Sequence, residues 1–273
     1  MLYLCATPIG NLGDLTPRVR EAFSVCDAVY CEDTRRTLTL LNYCGVKKTL
    51  ISCYRENEHT RAKEVVERLK AGETLVYVSD AGMPGVSDPG EALVRACIEN
   101  ELPYSVLPGA SAVLAAAVMS GFPVVPFTFY GFFPREKKAQ KPLLDMLKKT
   151  DHLVLFYESP NRVLSTLKTL LSALGDLDAA VLRELTKLHE ETARGALSAL
   201  IERYAQASPR GECVIALLCR AQKQTPSTET LERSLQTLLE NGCSVRDAAA
   251  IASAQLGVPK NEAYAKALLL AKK

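Results

Sequence analysis

A chain of 273 residues, 48% hydrophobic and 23% charged, holds enough apolar material for two folded domains and a small appendage. A net charge of +2 does not by itself announce a nucleic-acid binder, and no apolar run approaches the ~18–20 residues of a membrane span. The opening MLYLCATPIG has no basic segment and reaches a Gly-Asn turn at once, which predicts a strand instead of a signal peptide, and a cytoplasmic location.

LYLCATP (2–8) has the composition of a buried strand, and TPRVREAFSVC (16–26) predicts a helix with Thr16 as cap and Pro17 in its first turn. AVYCE (28–32) and TLISC (49–53) predict strands, separated by a short helix, RRTLTLLNYC, closed by Gly45. HTRAKEVVERLKAG is an amphipathic helix ended by Gly72. TLVYVS, GEALVRACIENE and PYSVLPG continue as strand, helix and strand, and ASAVLAAAVMSG is a small-residue helix suited to packing at a domain or dimer interface. Such units predict an α/β domain with a largely parallel sheet over 1–117.

A second α/β domain, more hairpin-like, is expected over 118–222. Its apolar runs are PFTFYGFF (126–133), HLVLFYE (152–158), DAAVLREL (178–185) and ECVIALLC (212–219), with helices RVLSTLKTLLSAL and ALSALIERYAQ between them. RAQKQTPSTE (220–229) reads as a linker. The tail, 223–273, predicts three helical segments of helix-turn-helix type with Gly257 in the turn. Contact with RNA or the ribosome is expected of it, but its charges nearly balance, so strong autonomous RNA binding does not follow, and a helical cap on the methylase is the alternative.

The nine cysteines include no CxxC, and several lie inside apolar runs, such as Cys5 in LYLCA. Buried reduced thiols are expected. His59, His152 and His189 are too far apart in sequence for zinc spacing, and no metal is expected.

Ligands of an open α/β sheet sit outside the carboxyl ends of its strands. Three loops of the first domain stand there: ATPIGNLGD (6–14), SDAGMPGVSDPG (79–90) and LPGASA (107–112). Glycine admits close approach of backbone to ligand, and proline stiffens the loop before binding. Neither GxGxxG nor GxxxxGK[ST] occurs, which argues against a dinucleotide fingerprint or a P-loop.

ATPIGNLGD, EDTRRT, VSDAGMPGVSDPG, LPGASA, YGFFPR, YESPNR and RELTKLHEE occur in that order. Over about 1–220 the chain therefore resembles the tetrapyrrole methylase superfamily, and within it the bacterial small-subunit ribosomal RNA cytidine 2′-O-methyltransferases; the tail is a looser match. The resemblance implies a two-domain α/β methylase with a small helix-turn-helix-like C-terminal domain. It also implies S-adenosylmethionine, bound folded in the cleft between the domains. The family pattern puts its contacts at Pro8, Asp80, Ala81, Gly82, Met83, Pro84, Ser111 and Ala112, with Tyr157 and Ala216 contributed by the second domain. The implied substrate is a cytidine ribose in 16S ribosomal RNA of the small ribosomal subunit, near the decoding centre. A homodimer is implied, without DNA or membrane partners. A tetrapyrrole or protein-modifying (diphthine-type) methylase, or a non-catalytic RNA-binding assembly protein, remains as an alternative.

The loop chemistry agrees. Asp80 can accept hydrogen bonds from an ammonium or a ribose hydroxyl, and open amides suit a carboxylate and an adenine edge. Asp88, just before Pro89 and the helix GEALVRAC, is expected to cap that helix.

Four residues are candidates for the reaction. Glu158 is either a base or the partner of Arg162 or Arg183, and Arg162 beside a helix start suits a phosphate. Glu184 and Lys187 can gather charge at the cleft, with Lys187 acting on a hydroxyl or itself as base. Arg35, Arg36 and Arg55 are candidates for RNA backbone, with surface ion pairs to Glu32 and Asp33 as the alternative. Arg135, Lys137 and Lys138 lie beside Phe132 and Phe133, a pattern suited to phosphate contact with base stacking, or to a solvated helix start.

Overall fold

The computed structural model describes residues 1–221 and 228–271. Residues 1–221 form one compact unit and the chain from 222 onward a second.

The larger unit holds two five-stranded sheets. The first consists of β1 (Leu2–Cys5), β2 (Ala28–Cys31), β3 (Thr49–Ser52), β4 (Leu75–Val78) and β5 (Tyr104–Leu107), all parallel, in the order β3-β2-β4-β1-β5. Helices cover both faces, and so its central strands are continuous apolar runs instead of alternating ones. One face packs Phe23 of α1 (Pro17–Val25) and Leu41 of α2 (Thr34–Cys44) on Val29 and Val76. The other packs Val65 of α3 (Glu58–Lys70) and Leu93 of α4 (Glu91–Glu99) on Tyr30 and Tyr77. The predicted caps form: Thr16 accepts from the Val19 amide, and Gly45 ends α2 with φ 71°.

The cap expected of Asp88 does not form. The residue before α4 is Gly90, and the acceptor comes from another helix. Glu58 Oε1 accepts from the amides of Gly90, at 2.7 Å, and Ala92, at 3.0 Å. Its buried carboxylate therefore ties the start of α3 to the start of α4. Glu58→Ala is expected to cost about 1–2 kcal/mol, as loss of a helix cap does, read as a lower urea midpoint at unchanged slope.

The second sheet consists of β6 (Phe127–Phe132), β7 (Leu153–Glu158), β8 (Asp178–Arg183), β9 (Glu191–Ala196) and β10 (Cys213–Leu218), in the order β6-β7-β10-β8-β9. Only β6 and β7 pair in parallel. β9 was not among the predicted elements; ETARGA has little strand composition and forms by pairing in register with β8. One face of the sheet is covered by α6 (Lys137–Leu147), α7 (Pro160–Leu174) and α8 (Leu197–Gln206), through Leu143, Leu167, Leu170 and Leu200.

The opposite face is covered by α5 (Ala112–Ser120), the small-residue helix. Val113, Ala116 and Ala117 lie against Leu155, Ala180, Val214 and Ala216. Arg194 of β9 donates to the carbonyls of Met119 and Ser120 and anchors the end of α5. A boundary at 117/118 thus falls inside a helix seated on the second sheet.

The smaller unit contains α9 (Thr228–Glu240), α10 (Val245–Leu256) and α11 (Lys260–Leu270) around Leu231, Leu235, Ala248, Ala252 and Ala267. Gly257, φ 67°, makes the turn between α10 and α11. Residues 222–227 of the expected linker lie outside the described residues. No helix among the described residues is long and apolar enough to cross a membrane.

Candidate active site

The carboxyl ends of the first sheet and the ends of β6, β7 and β10 in the second line a cavity of about 410 Å³. Asp80, Ala81, Gly82, Met83, Ser111, Ala112 and Tyr157, all expected at the cofactor, line it. Pro8, Pro84 and Ala216 do not. The neighbouring Ile9 takes the place of Pro8, and Pro84 is buried within its loop. Ala216 is wholly buried in the layer under α5, and β10 reaches the cavity at Cys213 and Val214 instead.

The first two loops are fastened together. The Thr7 amide donates to the Gly82 carbonyl at 2.9 Å, and the Gly82 amide returns the bond at 3.0 Å. Gly82 has φ +81°, which glycine adopts without strain. Its amide is therefore engaged, which narrows the expected set of open donors. The amides of Ala81 and Met83 carry no hydrogen bond to the described residues and remain available to a ligand.

Three carboxylates, Glu32, Asp80 and Asp88, stand on the first-sheet side of the cavity. Asp80 Oδ1 accepts from the Asp33 amide at 3.0 Å, and Oδ2 lies 3.4 Å from Arg36 Nη1. Burial and then the charge of Asp80 raise the Glu32 carboxyl above its ordinary range. Burial, followed by the charges of Glu32 and Asp80, pushes Asp88 up to about 6. Glu32 and Asp88 were not predicted at the site. Their signal was position after a strand and within the Gly-Pro loop, but each had a plausible local use as surface partner or cap.

On the second-sheet side, the Glu158 side chain is wholly buried. It accepts from the Ser159 amide at 2.8 Å and the Thr166 hydroxyl at 2.6 Å, and lies 3.3 Å from Arg162 Nη2. Of the two readings for Glu158, the ion pair with Arg162 is the one present; Arg183 pairs with Glu191. Arg162 also donates to the Phe133 carbonyl at 2.8 Å, so its guanidinium pins that chain and is not a free phosphate donor.

Lys187 Nζ lies 3.0 Å from Glu184 and 2.9 Å from Glu212. Burial acts to lower its pKa, but the two carboxylates outweigh it and the net shift is upward. Lys187 is thus held as an ammonium, not poised as a base. The Lys187 hydrogen bond and then the Glu212 amide hold Glu184 below the ordinary range. Glu184 (φ 52°) and Thr186 (φ 66°) are both left-handed, so this is a strained turn and not a helix.

Of the expected RNA contacts, Arg36 lines the cavity. Arg35 bonds both oxygens of Asp33, and Arg55 donates to the Ser87 carbonyl. Arg135, Lys137 and Lys138 are exposed and form no ion pair with the described residues. Phe132 lines the cavity at 59% exposure, edge-on to Tyr157, whereas Phe133 is buried against Phe156 and is removed as a stacking surface.

The cavity fits S-adenosylmethionine on its own features. Its volume is within the usual ~300–1,000 Å³ of a small-molecule site. Ile9, Leu185 and Val214 supply an apolar wall, two amides supply donors for a carboxylate or adenine edge, and the acids face a cation or ribose hydroxyls. Among the described residues, no group of His, Cys, Asp and Glu has the arrangement of a metal site.

A parallel sheet with converging strand-end loops, facing a mixed sheet across such a cavity, defines a two-lobed α/β methylase. A family model for tetrapyrrole (corrin/porphyrin) methylases matches residues 1–201, and one for the RsmI C-terminal HTH domain matches 225–271. The chain belongs to the tetrapyrrole methylase family; it is a methyltransferase whose methyl donor is S-adenosylmethionine. It is 37% identical over 273 residues to a Synechocystis protein named ribosomal RNA small subunit methyltransferase I, covering 99% of this chain and 98% of that one. A Thermotoga maritima protein of the same name is 43% identical over 216 residues, covering 79% of this chain and 97% of its own. Among solved structures, a diphthine synthase aligns with TM-score 0.62 at 16% identity, over 80% of this chain and 89% of that one. A uroporphyrin-III C-methyltransferase complexed with S-adenosylhomocysteine aligns with TM-score 0.56 at 17% identity, over 79% and 96%. These last two carry the fold alone.

Proposed function

We propose that this protein methylates small-subunit ribosomal RNA, at the ribose 2′-hydroxyl of a cytidine near the decoding centre, as a cytoplasmic homodimer. The observation that carries the reading is 37% identity along nearly the whole of both chains to a protein named ribosomal RNA small subunit methyltransferase I, in a chain that also keeps the donor cavity. The cytidine and its hydroxyl rest on the motif resemblance. The exposed Arg135, Lys137 and Lys138 beside the cavity-rim Phe132 support an RNA substrate, with phosphates on the cations and a base on the ring. The Thermotoga relative carries the same name although almost its whole length is matched by 79% of this chain. On this reading the methylase unit carries the activity and the helical unit adds to substrate engagement.

Bound S-adenosylmethionine supplies a methyl group already activated on a sulfonium. The chain's residues then have three tasks. Asp80, with Glu32 beside it, makes one wall negative and favours a cation there. Ile9, Leu185 and Val214 exclude water, and the amides of Ala81 and Met83 fix orientation. Glu158 with Arg162, and Glu184 with Lys187, hold the opposite wall as positioning pairs.

Incubation with methyl-labelled S-adenosylmethionine and small ribosomal subunits, followed by digestion of the RNA to nucleosides, tests the assignment. Label is expected on the ribose of a cytidine. Label on a base, or label only on a tetrapyrrole or protein acceptor, refutes it.

A further inference from the structure

Five carboxylates line the cavity: Glu32, Asp80, Asp88, Glu158 and Glu212. Three are committed to basic side chains, Asp80 to Arg36, Glu158 to Arg162 and Glu212 to Lys187. Glu32 and Asp88 form no ion pair with the described residues. Nor is Asp88 occupied as a helix cap, because Glu58 fills that place from the neighbouring helix. It lines the cavity together with Glu32, at the end of β2, and Asp80, at the end of β4, and feels the charge of both.

From this arrangement we infer that Asp88 is the base that takes the proton from the substrate hydroxyl, with Glu32 as the positioning residue that tunes it. The inference rests on the methyltransferase reading given above. The step balances as a displacement. The hydroxyl O–H bond breaks and its proton passes to the Asp88 carboxylate. The oxygen's electron pair forms the new O–C bond to the methyl group, and the C–S bond breaks with its pair left on sulfur. No further reactant is required. The protonated Asp88 returns its proton to water after product leaves.

The electrostatic setting suits a base. Glu32, Asp80, Arg55, Tyr77 and Tyr157 face Asp88 from the surrounding elements, and Arg36 reaches Glu32 and Asp80. Burial leads, the two acids add to it, and Arg55 opposes them, which leaves the carboxyl near 6. A base serves best when its pKa lies close to the working pH. Glu32 and Asp88 repel one another, so they titrate as a pair and the first proton is held more tightly than either alone would hold it.

Asp88→Asn keeps the shape and removes the proton acceptor. Its single-turnover methyl transfer is expected to fall ~10²–10⁴-fold, as for loss of a positioned base, with S-adenosylhomocysteine affinity by calorimetry within about threefold of the unaltered protein. The unaltered protein's rate should climb with pH through about 6 and level off, a limb that Asp88→Asn lacks. Glu32→Gln removes a neighbouring negative charge and should move that limb to lower pH. A readout independent of turnover is thermal melting. Because the folded pKa of Asp88 is raised, its ionisation opposes folding above about 6 and has no effect well below its ordinary 3.8. Asp88→Asn should therefore raise Tm at pH 8, and the gain should shrink as pH falls from 6 towards 4. A variant that turns over normally, or that loses S-adenosylhomocysteine binding more than tenfold, overturns the assignment while leaving the methyltransferase reading intact. If the unaltered protein binds S-adenosylhomocysteine but labels no ribosomal RNA, the parent reading fails and this one falls with it.

Discussion

Glu158→Ala is expected to destabilise the larger unit by about 3 kcal/mol, at the lower end of the ~3–5 kcal/mol seen when one partner of a buried ion pair is removed. For a unit of this size that is roughly 10 °C in Tm. The Glu158 side chain has no solvent exposure, and an amide, a hydroxyl and a guanidinium all converge on it. Alanine strands the Thr166 hydroxyl in the core and leaves Arg162, 24% exposed, without its counter-charge. That residual exposure places the effect at the lower end. Glu158→Gln keeps an acceptor for Thr166 and should cost about half as much. Thermal melts and urea titrations check both. An alanine variant within 1 kcal/mol of the parent would mean that water enters freely and that the pair does not hold the wall of the cleft.

Gly211→Ala is the second substitution expected to act strongly. Gly211 has φ +80°, and a Cβ there would stand 2.0 Å from Glu184 Oε1 and 2.3 Å from its Cδ. Alanine must expel the Glu184 carboxylate, which also receives Lys187 and the Glu212 amide, each at 3.0 Å. The backbone strain alone is of the order of 1 kcal/mol, and the lost bonds add about 1–2 kcal/mol. Because Gly211, Glu212 and Leu185 all face the cavity, S-adenosylhomocysteine affinity should fall at least ~10-fold. A double-mutant cycle makes the mechanism specific. Shortening Glu184 to alanine removes the obstacle, so the pair of changes should cost less than their sum. Strict additivity would show that the clash is not what matters.

The parallel sheet, the caps at Thr16 and Gly45 and the three strand-end loops were legible in the chain because each depends on neighbours in sequence. What escaped was decided at long range. Glu58 captures the α4 cap from 32 positions away, and no local pattern distinguishes it from the exposed Glu67 of the same helix. Its arrival released Asp88 to the cavity. Phe132 and Phe133 are adjacent and chemically alike, and only the pleat of the strand end sends one to the cleft and the other to the core. ETARGA became a strand because β8 offered it a complete ladder, which overrode weak propensity. Lys187 has the local setting of a base, but Glu184 and the distant Glu212 flank it and keep it charged.

The placement of α5 bears on how this architecture can be cut or shuffled. Its chain leaves the parallel sheet, yet Val113, Ala116 and Ala117 close the apolar face of the mixed one. A gene split at codon 117 would sever that seat, baring Leu155, Ala180 and Val214 on one fragment and leaving a helical stump on the other. Complementing halves should therefore be divided before Ser111, so that α5 stays with the sheet it covers. A chimera that imports a foreign amino-terminal lobe must bring side chains no bulkier than valine or alanine at those three positions.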